Sequence, residues 1–163
     1  MVGGACGLIA IIAVVALATA SWRRPPYKIP SKLVNQASFS IYVPTPGATW
    51  RPDPQATTYD ASAGVLAMTF KADGLPTIVM NQQAQPAVFN DVPNYFPQLL
   101  AKMNQYREIS TDIGPVQLTR PTELGGGQSA VGNVRGTLTF AHPSVSLSDT
   151  QWKAFFDQLQ VLR

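Results

Sequence analysis

Nine carboxylates and a single histidine carry most of the acid–base chemistry open to this 163-residue sequence. Two carboxyl groups can cleave a glycosidic bond when they face each other about 5–9.5 Å apart. Asp53, Asp60, Asp73, Asp91, Glu108, Asp112, Glu123, Asp149 and Asp157 are scattered, mostly at expected loops and helix starts. Turn chemistry and helix dipoles account for such positions. No spacing marks a pair, and Asp60 and Asp112 are the two worth considering. His142 is the only histidine, so neither a multi-histidine metal site nor a histidine-based triad is expected. Pro143 follows it, and His142 reads as a surface turn residue. No calcium-loop spacing is present. Gly125-Gly126-Gly127 lacks the Gly-Lys-Ser/Thr ending of a phosphate loop and reads as a connector. Arg120 and Arg135, on either side of it, read as solvated strand ends. The expectation is a protein without catalytic residues, metal or cofactor, and so not an enzyme.

One polar stretch suggests binding instead. Asn81-Gln82-Gln83-Ala84-Gln85-Pro86 is uncharged and leaves the end of an expected strand. Side-chain amides there can hydrogen-bond a sugar, a peptide or an exposed backbone. Asn81, Gln82 and Gln83, with Tyr95 on the helix expected next, are the candidate partner-binding residues.

The elements that must position these groups follow from pattern. Phe39 to Val43 alternates like a strand, and Pro44, Pro46 and Gly47 end it. Residues 44 to 57 read as a loop with Trp50 tucked onto the domain edge. Val65 to Lys71 and Thr77 to Gln82 read as a hairpin around Asp73-Gly74. Pro93 suits a helix start, and Tyr95, Phe96, Leu99, Leu100, Met103 and Tyr106 share a helical face, so the helix is expected to run to Glu108. Strands are expected at 116–120, 129–131 and 136–142. A last helix opens with Ser148 and Gln151 as a capping box and carries Trp152, Phe155, Phe156, Leu159 and Leu162 on one stripe. The fold class expected is α+β, a mostly antiparallel sheet with two helices packed on it, preceded by one N-terminal transmembrane helix.

That transmembrane helix is expected over residues 2–22, which hold no charge. Twenty-one residues at about 1.5 Å each match a hydrocarbon core of about 30 Å. Trp22 fits the interfacial belt, and Arg23 and Arg24 stop the run. The domains expected are an anchor at 1–24, a proline-rich stalk at 25–37 and a globular α+β domain at 38–163. Arg23 and Arg24 taken alone favour a cytoplasmic domain, but long C-terminal domains are translocated despite such charges, and an extracytoplasmic placement is expected.

Phe39-Ser40-Ile41-Tyr42-Val43-Pro44, then Pro46-Gly47, the Tyr59-to-Phe70 hairpin and Asn81-Gln82-Gln83 with Pro86 resemble a group of uncharacterised bacterial single-span membrane proteins. The likeness spans roughly residues 39 to 86 and the closing helix, on structural motifs of the hypothesis-only kind. Gln82 stands where an acidic residue is common in that group. The resemblance implies a cell-membrane location and an extracytoplasmic α+β domain, without an activity.

Charge placement narrows the partners. The sequence has twelve Lys and Arg against nine Asp and Glu, and setting aside Arg23 and Arg24 leaves ten against nine. The domain is nearly neutral despite a pI of 9.2, and nucleic acid is not an expected partner. The expected partners are the lipid bilayer, through residues 2–22, and an envelope protein or glycan. The alternatives are a carboxylate-dependent envelope glycan hydrolase and a structural subunit of a membrane assembly.

Overall fold

The structure, a computed structural model, describes residues 29, 31–121 and 127–162. The expected 2–22 membrane helix lies outside the described residues, as do Arg23, Arg24, Glu123, Gly125 and Gly126. Among the described residues no helix is long and apolar enough to cross a membrane.

The elements in chain order are α1 (Ser31–Gln36), β1 (Tyr42–Pro44), β2 (Arg51–Asp60), β3 (Val65–Ala72), β4 (Leu75–Ala84), α2 (Val88–Asp91), α3 (Tyr95–Lys102), β5 (Gln105–Thr111), β6 (Gly114–Thr119), β7 (Ser129–Val134), β8 (Thr137–Pro143), α4 (Asp149–Asp157) and β9 (Leu159–Val161). β2 to β8 form one antiparallel sheet in the order β2-β3-β4-β8-β7-β6-β5, and β1 pairs with β9 in a separate ribbon. The architecture is α+β with a mostly antiparallel sheet.

Strand side chains alternate between faces, so the register assigns each residue to one side. The inner face carries Leu66, Met68 and Phe70 from β3, Ile78 and Met80 from β4, and Val116, Leu118, Ala130 and Ala141 from the far strands. Trp152, Phe155 and Phe156 of α4 pack into the same core, with Phe155 edge-on to Phe70 at 5.1 Å. Ser148 and Gln151 close the expected capping box at the start of α4. On the outer face, Leu100 with Phe89, Phe96 and Met103 of α2–α3 and the following turn covers Val131, Leu138 and Phe140.

Several boundaries differ from the sequence reading. The end of the proline-rich segment is the helix α1, and Ile29 and Ala37 are buried in the core. The prolines stop at position 30, leaving the next six residues free to coil. Residues 51–57, expected within the 44–57 loop, belong to edge strand β2, where Pro52 and Pro54 are tolerated because an edge has one unpaired side. α3 ends at Lys102, and Asn104 at φ +56° turns the chain so that Tyr106 lies in β5. The strand expected at 39–43 is shorter and shifted to 42–44. Leu159 leaves the helical stripe for β9, and Leu162 lies beyond it, exposed.

Candidate functional site

The outer face of the sheet is unevenly covered. α2 and α3 pack over β7 and β8, while the same face of β2, β3 and β4 has no helix packed on it among the described residues. Three register rows cross this half-face: Thr69, Val79 and His142; Ala67, Asn81 and Phe140; Val65, Gln83 and Leu138. Val79 is 38% exposed, high for a valine in the third strand of a seven-stranded sheet. The Asn81 and Gln83 amides are half-buried and make no hydrogen bond within the described protein. An unpaired amide carries two donors and an acceptor, so the two together offer a polar partner several contacts over an apolar floor. Tyr95 belongs to the helical layer beside this shelf, half-buried with its ring 5.6 Å from Phe89.

Gln82 does not share that surface, which corrects its place among the candidate binding residues. Its side chain points inward and is fully buried. Its Oε1 accepts from the Tyr42 N–H at 2.7 Å, and its Nε2 donates to the Tyr42 carbonyl at 3.0 Å. Alternation alone dictates this, because three consecutive strand residues cannot face one way. Ile78, Met80 and Gln82 fall on the same side, and the two hydrophobics commit it to the core.

The carboxylates considered for glycan cleavage are not brought together. Asp60 ends edge strand β2, and Asp112 lies in the hairpin that begins with the opposite edge strand, β5. Six strand spacings separate those edges, about 29 Å along the sheet. Asp60 accepts from the Ser62 N–H, the Ser62 hydroxyl and the Ala63 N–H, and these bonds hold its pKa below the ordinary value. Among the described residues no three His, Cys, Asp or Glu side chains come together as a metal cluster.

His142 is exposed, as expected, but stands in a strand rather than a turn. It lies in β8, and its Nδ1 is 2.9 Å from the Ser129 hydroxyl directly across on β7. Burial of that side of the ring pushes its pKa below the ordinary histidine value and favours the neutral ring, whose tautomer decides which of the two groups donates. No carboxylate hydrogen-bonds the imidazole among the described residues. Ser129 is itself buried, and the pair satisfies a hydroxyl beneath the surface. Arg120 is not simply solvated: its guanidinium sits 4.7 Å from the centre of the Tyr106 ring. Arg135 occupies the β7–β8 turn at φ +52°.

At the end of the same half-face, one feature gave no signal in sequence. Arg51 of β2 stands directly opposite Lys71 of β3. Lys71 is held by Asp53 at 2.7 Å, and that bond together with the Gln55 N–H lowers the Asp53 pKa. Around them Gly47, Thr49, Asp73 and Thr77 line an open cleft of 830 Å³. No alternation or motif predicts a cleft formed by a loop and a hairpin end that are far apart in sequence.

Neither a protein-family model, nor a curated protein, nor a solved structure matches this chain.

Proposed function

We propose that this chain is a membrane-anchored domain on the outer side of the membrane, and that the uncovered outer face of β2–β4 binds an envelope protein or glycan. The observation that carries the reading is the half-covered sheet: helices cover Val131, Leu138 and Phe140, while Val79 stays exposed beside the Asn81 and Gln83 amides, which are unpaired among the described residues. Exposed apolar surface rimmed by unsatisfied polar groups is the usual character of an interaction face. The anchor is the charge-free 2–22 segment, and the nearly neutral domain suits a partner of low charge better than a strong polyanion. The role is binding rather than catalysis. Asp60 and Asp112 stand on opposite edges, and among the described residues no carboxylate joins the Ser129–His142 pair, whose hydroxyl is buried.

A photo-crosslinking amino acid placed at Thr69 tests this in native membranes. The expected result is a discrete adduct with one envelope component, lost in an Asn81→Lys/Gln83→Lys variant of unchanged circular dichroism. An adduct pattern identical in the variant would refute the reading.

A further inference from the structure

We infer that the cleft at the Arg51 end of this face is a subsite for a monocarboxylate that carries a neighbouring hydroxyl or ammonium donor. The inference rests on the outer face being the binding surface, and it names the chemistry of one end of it. Arg51 and Lys71 are register partners, so two like charges face each other across an antiparallel pair. Such pairs are destabilising unless a counter-charge sits between them. Asp53 supplies one for Lys71 alone, through the 2.7 Å ion pair. The Arg51 guanidinium has no hydrogen bond or ion pair within the described protein.

The cleft beside it is 830 Å³, within the range of small-ligand sites. A free guanidinium is a planar fork that matches a carboxylate with two parallel bonds. The rest of the lining narrows the ligand. Asp73 is an exposed carboxylate with no partner among the described residues, and it can accept from a ligand's donor. The Thr49 and Thr77 hydroxyls make no hydrogen bond there either, and each can donate or accept. Two cations and two carboxylates cancel across the cleft. A dianionic phosphate therefore meets repulsion from Asp53 and Asp73, whereas a monocarboxylate pairs with Arg51 and directs its own donor to Asp73. An acidic sugar and the terminus of a short peptide share this chemistry.

The test is a calorimetric titration of the full chain, followed by backbone NMR, with D-glucuronate and with the dipeptide Ala-Ala as probes. Acetate, methyl glucoside and inorganic phosphate serve as comparisons. The expected result is binding of at least one probe, tighter than all three comparisons, with shifts at Thr49, Lys71 and Asp73. Glucuronate alone identifies an acidic-glycan site, and the dipeptide alone a peptide-terminus site. Arg51→Ala weakens binding about tenfold or more, since bonds to a charged group are among the stronger ones even at a partly exposed site. Asp73→Asn reduces the preference for the probe over acetate. Arg51 is exposed on an edge strand, so its truncation leaves the fold intact, and the thermal midpoint checks this. Absence of binding by both probes, unchanged affinity in Arg51→Ala, or tighter binding of phosphate would each overturn the inference. Absence of probe binding alongside an intact, Asn81- and Gln83-dependent Thr69 crosslink overturns the subsite and leaves the interaction face standing.

Discussion

Replacing Gln82 with methionine should destabilise the domain far more than its modest change in shape suggests. β1 pairs with β9 in the register Tyr42 to Val161, and Leu162 donates to the Ile41 carbonyl at 2.8 Å. Antiparallel pairs alternate between bonded and non-bonded positions, so Tyr42 turns its own N–H and C=O away from β9. The buried Gln82 amide receives both, at 2.7 and 3.0 Å. One side chain thus does the work of a ladder partner and ties the β1–β9 ribbon to the centre of the sheet. Methionine has nearly the same length and no donor, so the cavity left behind is small and hydrogen bonding dominates the loss. Two buried backbone groups left unpaired at roughly 1–3 kcal/mol each give about 2–6 kcal/mol. At roughly 3–4 °C per kcal/mol for a domain of this size, the melting midpoint should fall by about 7–20 °C. Differential scanning calorimetry with a urea titration measures it, and an unchanged m-value confirms that only stability moved. A fall below about 3 °C would refute the clamp, because either unpaired group alone costs more than that. Gln82→Glu extends the test. A carboxyl must be protonated to donate to the Tyr42 carbonyl, and burial raises its folded pKa above the unfolded value of about 4.3. Stability of this variant should be fullest below that unfolded value and be lost as pH rises through the folded pKa.

Three further sites give outcomes that follow from local geometry. Ser148→Ala removes the hydroxyl that accepts from the Gln151 N–H at the start of α4 and should cost about 1 kcal/mol by denaturant titration, with Ser148→Gly close to neutral. Gly132→Ala places a Cβ 2.7 Å from the Thr139 hydroxyl between adjacent strands and should cost about 1–3 kcal/mol, partly recovered by adding Thr139→Ala. The His142 ring, the only one in the chain, should titrate by NMR below the ordinary histidine value. Its folded pKa is depressed, so its contribution to stability is full above about 6.5 and is lost as pH falls through the folded pKa.

The hairpin from Val65 to Gln82 and the helix from Asp149 were legible because their patterns are local. Alternation around Asp73-Gly74, and a capping box before an aromatic stripe, each state their own geometry. β2 was not legible, since Pro52, Pro54 and a register shift between Pro52 and Thr57 hide its alternation, and it exists because β3 offers an edge to pair with. β9 was hidden for the same kind of reason: Leu159 continues the helical stripe, and pairing with β1 overrides that. On the candidate site, composition identified the Asn81–Gln83 amides but not their division between faces. Extending the two-residue period of Ile78 and Met80 by one step places Gln82 inside. Arg51 and Asp73 carried no signal because the cleft joins segments that meet only in the fold.

The proposed role requires that the outer face of β2–β4 be occupied in the cell, on the external side of the membrane. Cysteine labelling in intact cells with a membrane-impermeant maleimide tests it most directly, in a Cys6→Ser background. Val145→Cys reports a loop that is 66% exposed, and Val79→Cys reports the shelf. The account predicts rapid labelling at Val145→Cys, slow labelling at Val79→Cys, and faster labelling at Val79→Cys once the protein is purified away from its partner. Equal labelling of the two sites in cells would contradict an occupied face, and no labelling at Val145→Cys would contradict an external domain.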